Sequence, residues 1–307
     1  MTTAFITHRD CWLHDMGAHH PECPERLSAI NDRLIAAGLD MYLAFYDAPL
    51  ATIDQISRVH PPDYIRSIAD SAPDSGIVHL DPDTAMSPGT WLAALRSAGA
   101  GILAVDLMMS GEVENAFCSV RPPGHHAERT RAMGFCFFNN VAVAAIHALE
   151  AHGLERVAVV DFDVHHGNGT EAIFAGDPRV LMVSTFQHPF YPYSGTENPA
   201  ENMVNVPVPA GTRSDGFRQI VEDVWLPALR RFAPEAIFIS AGFDAHYEDD
   251  MASLGLVEAD YGWVTQQLKA IAAETARGRI VSMLEGGYAL SALGRSVTTH
   301  IKVLADL

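Results

Sequence analysis

Residues 156–169 constrain this chain more than any other stretch. Arg156-Val157-Ala158-Val159-Val160 is a β-branched apolar run, the pattern of a strand buried on both faces. It runs directly into Asp161-Phe162-Asp163-Val164-His165-His166-Gly167-Asn168-Gly169. Side chains alternate along a strand, so Asp161, Asp163 and His165 are expected on one face. A carboxylate and an imidazole so placed can share one metal ion. Burying such groups in an apolar sheet is costly unless a cation or a partner compensates them. Gly167 and Gly169 then let the backbone turn and approach closely.

The same layout returns elsewhere. Glu235–Ala241 is an apolar strand that ends in Gly242-Phe243-Asp244. Arg279–Leu284 is another, ending in Glu285-Gly286-Gly287-Tyr288. Ala116–Val120 feeds Arg121-Pro122-Pro123-Gly124-His125-His126, where adjacent prolines brace two consecutive histidines. Further strands are expected at 4–8, 180–186 and 205–209. Helical periodicity covers 27–37, 52–59, 88–109, 141–151, 170–175, 215–232 and 256–277. Strands alternating with helices imply an α/β fold: one domain over 1–307, with a parallel β-sheet covered by helices on both faces. Sites in such sheets lie beyond the carboxyl ends of the strands, so four strand ends should converge.

The converging residues describe a chemistry. Asp163, His165 and Asp244 offer three protein ligands, and three ligands with an open position is the layout of a catalytic zinc. Such an ion polarises a carbonyl and acidifies water. His125 and His126 can supply acid and base, oriented from behind by Asp161 and Asn168. Tyr288, after a double glycine that leaves room for substrate, can stabilise an oxyanion. Together these parts describe metal-assisted hydrolysis of an amide. The aromatic loop His188–Tyr193 suits a pocket wall.

Composition narrows the partners. Net charge is −18, from 20 basic and 38 acidic residues. That disfavours nucleic-acid backbones and favours cationic substrates. No apolar run is expected to span a bilayer, so no membrane partner is expected. The opening residues lack the layout of a secretory signal. Cys11, Cys23, Cys118 and Cys136 have neither metal-clip nor disulfide-scaffold spacing, which points to a reducing cytoplasm. Self-association into a homo-oligomer is left open.

In these motifs the chain resembles the zinc-dependent histone deacetylase family, with its bacterial amidohydrolase members, on the arginase/deacetylase fold. The matching pieces are His20-Pro21-Glu22 with Pro24–Leu27, Arg121–His126, Gly134–Asn140, Asp161–Gly169, Ala241–Ala245 and Glu285–Tyr288, in family order. The resemblance implies one Zn²⁺ on Asp163, His165 and Asp244; similar ligand sets accept several divalent ions, so Fe²⁺ is an alternative. It implies a catalytic pair His125 and His126, backed by Asp161 and a class II-like Asn168, and a catalytic Tyr288. Phe135 and Tyr191 would wall an acyl-lysine tunnel, with Gly134 and Gly287 beside it. Arg26 and Cys136 would lie on the product-exit side. A structural K⁺ would be held by Asp161, Ser184 and the backbone of Asp163 and His165.

Two substrates compete: an acyl-lysine protein or peptide, and an acetylated polyamine. Met251 stands where an acidic gatekeeper would favour polyamines, although Glu248, Asp249 and Asp250 immediately precede it. A silent acetyl-lysine binding module should have lost a ligand, a histidine or the tyrosine, and none is missing. A binuclear manganese hydrolase needs more acid ligands than this chain offers.

Overall fold

In the computed structural model, residues 2–307 are described; Met1, the first residue of the domain expected over 1–307, lies outside them. Among the described residues ten strands form: β1 Thr3–Thr7, β2 Leu43–Asp47, β3 Val78–His79, β4 Ala85–Met86, β5 Asn115–Cys118, β6 Val157–Asp161, β7 Val180–Gln187, β8 Met203–Val208, β9 Ala236–Ala241 and β10 Ile280–Leu284. Eight of them make one sheet in the order β2-β1-β5-β10-β9-β6-β7-β8, parallel throughout. β3 and β4 form a separate antiparallel hairpin. The residues of β5, β6, β7, β9 and β10 are all buried, which explains why their sequences are largely apolar and do not alternate with charged residues.

One helical layer is built from Thr90–Ser110 packed on Asn140–Ala151. The other joins Glu25–Ala36, Glu258–Thr275 and Leu290–Leu304. Thr90–Ser110 corrects one expectation. At 21 residues it is long and apolar enough to cross a membrane, but 72% of its apolar window is buried inside the protein. Ala- and Gly-rich sequence lets it lie close to its neighbours: a side chain at Gly99 would collide with the Pro49 carbonyl. The helix expected over 215–232 is interrupted. It runs Ser214–Ile220, opens into a wider π turn at Val221–Trp225 and resumes at Leu226–Phe232, with Pro227 one residue into the resumed turn. Edge strand β2, the short hairpin β3–β4, the 3-10 turns Arg9–Leu13 and Asp40–Tyr42, and helices Pro62–Asp70 and Leu290–Leu304 were not anticipated from the sequence.

The order of strands positions the site. β5, β10, β9 and β6 are neighbours in the sheet, so the segments after Cys118, Leu284, Ala241 and Asp161 open at one place. Beneath them sits a fully buried ionic cluster. Glu22 accepts from Arg26 Nη1 at 3.0 Å and from Arg121 through both Nε and Nη2. Burial alone would raise the Glu22 carboxyl, but Arg121, His14 and Arg26 hold it well below its usual range. Arg121 also donates to the carbonyls of Cys11 and His14 at 3.0 Å, and so ties the amino-terminal loop to the histidine loop. Removing one member of a buried charge cluster strands the others. Glu22→Ala is therefore expected to destabilise the fold by about 3–5 kcal/mol, read as a lowered urea midpoint.

Candidate active site

β6 ends at Asp161, so Asp163 and His165 lie beyond the strand rather than on its alternating face. Turns capped by side chains bring them together instead. Asp163 N donates to Asp161 Oδ1 at 3.1 Å, and His165 N donates to Asp163 Oδ1 at 2.9 Å. Asp244 arrives from β9 and accepts from Val164 N through Oδ1 at 2.9 Å. Gly286 N, from the end of β10, donates to Asp163 Oδ2 at 2.9 Å. Ligand atoms of Asp163, His165 and Asp244 all lie within 4.8 Å of one another, and all three residues are buried.

The group fits a divalent cation. His165 Nδ1 stands 2.9 Å from Asp163 Oδ1 and 3.2 Å from Asp244 Oδ2. Asp244 Oδ2 is buried and, among the described residues, has no hydrogen-bond partner. A buried carboxylate oxygen without a donor calls for a positive charge. Burial, with Asp163 beside it, pushes the Asp244 carboxyl up to about 6. Two carboxylate oxygens and one imidazole nitrogen form a borderline-hard ligand set. Glycines keep the space open: a side chain at Gly286 would strike the carboxylates of Asp244 and Asp163, and one at Gly242 would strike Asp163.

The two histidines are held differently. His125 Nδ1 lies 3.0 Å from Asp161 Oδ2. Burial disfavours its charge, but Asp163 and Asp161 outweigh burial and hold it well above its usual value. His126 Nδ1 lies 2.8 Å from Asn168 Oδ1. The Asn168 amide is oriented by Glu128, whose carboxylate can only accept, from Nδ2 at 2.9 Å. Asn168 therefore presents its oxygen to His126, Nδ1 carries the proton, and Nε2 keeps a lone pair. Burial, with His125 and His165 nearby, lowers the His126 pKa well below its usual value.

A cavity of ≈ 240 Å³ opens over this group. Gly134, Phe135, Tyr191, Met251 and Tyr288 line it with His126 and His165. Gly134 (φ 57°) and Phe135 (φ 68°) are both left-handed, between paired Met133 and Cys136. A left-handed phenylalanine is strained, and the strand-like pairing on both sides maintains it. Thr84 Oγ1 accepts from Phe135 N at 3.0 Å and Asp83 Oδ1 from Gly134 N at 3.0 Å. Burial, with Asp244 close by, keeps the Tyr288 hydroxyl protonated, as a donor.

Not every candidate reaches the cavity. Gly287 lies behind Tyr288, and its carbonyl accepts from Arg26 Nε at 2.7 Å. Arg26 is buried, with its guanidinium 5.0 Å from the Tyr288 ring centroid. Cys136 is buried under the turn, its Sγ 3.2 Å from the Gly134 carbonyl. Ser184 stands in register with Asp161 and donates to Asn205 Oδ1 at 3.1 Å. Several participants were given no individual role in the sequence, Phe190 being read only as part of an aromatic pocket wall. Phe190 stacks on His165 with centroids 5.5 Å apart. Asp83 lines the cavity from the loop that joins β3 and β4. Glu285 Oε2 accepts from Gly124 N at 2.7 Å and His125 N at 3.1 Å. An acid ending an apolar strand was the available signal for Glu285.

Residues 20–304 match the family model described as the histone deacetylase domain. The histone deacetylase-like amidohydrolase of Pseudomonas aeruginosa is 38% identical over 310 residues, covering 93% of this chain and 81% of that protein. The human polyamine deacetylase HDAC10 is 34% identical over 330 residues, covering 99% of this chain and 48% of that protein. The crystal structure of the HDA15 HD domain superposes with a TM-score of 0.94 at 34% identity, covering 99% of this chain and 88% of that one. In sequence and in fold, this chain belongs to the histone deacetylase family.

Proposed function

We propose that the protein is a zinc-dependent deacylase that hydrolyses the amide of an acylated lysine side chain or a similar acylated amine. The observation that carries this reading is the buried Asp244 Oδ2, without a hydrogen-bond partner among the described residues and 3.2 Å from His165 Nδ1, near a histidine whose Nε2 is free to accept a proton. Asp163, His165 and Asp244 would hold Zn²⁺, with Fe²⁺ as an alternative ion. When bound, the ion would polarise the amide carbonyl and acidify water.

The remaining work falls to the chain. His126 Nε2 takes a proton from the attacking water as the carbon–oxygen bond forms. His125, paired with Asp161, carries positive charge beside the reacting centre. Tyr288 donates its hydroxyl to the carbonyl oxygen as that oxygen gains negative charge. The carbon–nitrogen bond then breaks, and the histidine pair returns a proton to the leaving amine. Phe135 and Tyr191 wall the aliphatic arm of the substrate and exclude water. Arg26 and Cys136 mark the side from which the short acid departs. K⁺ would sit with Asp161, Ser184 and the backbone of Asp163 and His165, and four free cysteines suit a reducing cytoplasm.

Acetylpolyamines are the second reading, supported by net charge −18 and the similarity to the human polyamine deacetylase. The apolar Met251 at the cavity favours acyl-lysine. Of the acids before it, Glu248 is paired with Arg295 at 2.6 Å and Asp249 is buried. A panel of acetyl-lysine peptides, longer acyl-lysines and acetylated putrescine, cadaverine and spermidine tests the assignment. Turnover of none of them by the zinc-loaded protein would overturn it.

Three substitutions follow from this reading. Asp244→Ala is expected to lose both metal and activity; stoichiometric zinc in that variant, by elemental analysis, would remove Asp244 from the ligand set. Met251→Glu should raise the acetylpolyamine to acetyl-lysine activity ratio by up to about fivefold, the upper range for one exposed ion pair; an unchanged ratio would show that Met251 is no gatekeeper. Tyr288→Phe deletes one donor and keeps the ring. Its turnover should fall roughly 10²–10³-fold with zinc content intact, and full activity would send the search for the second donor elsewhere.

A further inference from the structure

Asp249 read in the sequence as one of three acids near the substrate rim. In the structure it is 5% exposed, and its carboxylate serves two loops at once. Oδ1 accepts from Met251 N at 3.0 Å, on the loop that reaches the cavity. Oδ2 accepts from Tyr288 N at 2.6 Å and from Ala289 N at 3.0 Å. Ala289 is the residue that caps helix Leu290–Leu304, and it has no side-chain cap of its own. The cap comes instead from a residue 40 positions away in the chain. On its other side the tyrosine loop is held by Arg26, through the Gly287 carbonyl.

We propose that Asp249 is a positioning residue that fastens the Met251 rim loop to the Tyr288 loop, so that the seating of substrate and the aim of the tyrosine hydroxyl are set by one carboxylate. This inference rests on the role of Tyr288 given above. The charge matters because both oxygens of a carboxylate accept, whereas an amide has only one oxygen. Charge-assisted bonds from backbone N–H groups are also shorter and stronger than neutral ones. Asparagine at 249 can serve either loop but not both.

The test pairs kinetics with amide hydrogen exchange on the zinc-loaded protein. Asp249→Asn should lower turnover by about 10²-fold, the scale of a misplaced reacting group, with zinc content unchanged and KM moved less than kcat. In a Tyr288→Phe background the same change should cost almost nothing further, because the two act through one hydroxyl. Exchange should quicken in the segment holding Tyr288 and Ala289, or in the segment holding Met251, and not in an Asp250→Asn control on the exposed neighbour. Unchanged exchange in both segments, or a full additive loss in the Tyr288→Phe background, would overturn the proposal. If Tyr288→Phe alone is fully active, the reading of Tyr288 fails, and the exchange measurement still decides whether Asp249 ties the loops. Asp249→Ser, with one short acceptor, replaces Asp249→Asn if that variant does not fold.

Discussion

Charge compensation in a dry place governs the top of this molecule. Asp163 and Asp244 face the same imidazole at the end of an apolar sheet. Water cannot solvate them there, so backbone donors take the outer lone pairs: His165 N and Gly286 N on Asp163, Val164 N on Asp244. These bonds fix both carboxylates without neutralising them. Burial would raise the Asp163 carboxyl, yet His125 and His165 hold it well down, while Asp244 is pushed up toward neutrality beside it. One shared cation would resolve that imbalance. The glycines at 242 and 286 follow from the same constraint, because side chains there would occupy the space the carboxylates need.

The difference between the two histidines has a similar origin. Asp161 and Asn168 are near-isosteres, but one carries a charge and the other a neutral carbonyl. The first holds an imidazolium; the second selects a tautomer. Two adjacent rings with centroids 4.0 Å apart would repel if both were charged. An asparagine at 168 therefore suits a pair in which one ring stays neutral.

Much of this was legible in the sequence because the informative residues interrupt strong patterns. Apolar β-branched runs announced β6, β7, β9 and β10, and polar groups at their ends marked the site. Edge strand β2, Leu43–Asp47, was missed because its apolar run is short and holds no β-branched residue, and none of its residues is fully buried. The π turn within 214–232 was hidden because one such turn leaves the helical composition unchanged. Glu22, Asp249 and Glu285 were visible as acids, but their roles depend on donors from distant segments, a guanidinium for Glu22 and backbone N–H groups for Asp249 and Glu285, and periodicity carries no trace of those. Arg26 is buried, anchored by the carbonyls of Glu285 and Gly287 in the segment after β10.

The sheet order also bears on how the chain must assemble. β10 is the last strand in sequence, yet it lies at the centre, between β5 and β9. Until it inserts, β5 and β9 have no strand between them, and the sheet exists as two halves with open inner edges. Such edges are templates for association with other chains. The closing contact is also remote in sequence: β5 pairs with β10 through Asn115 and Ile280, and pairing at long separation is slow. An emerging chain therefore holds both histidines and all three candidate ligands before it can hold them together. The strand that brings Tyr288 is the one that closes the sheet.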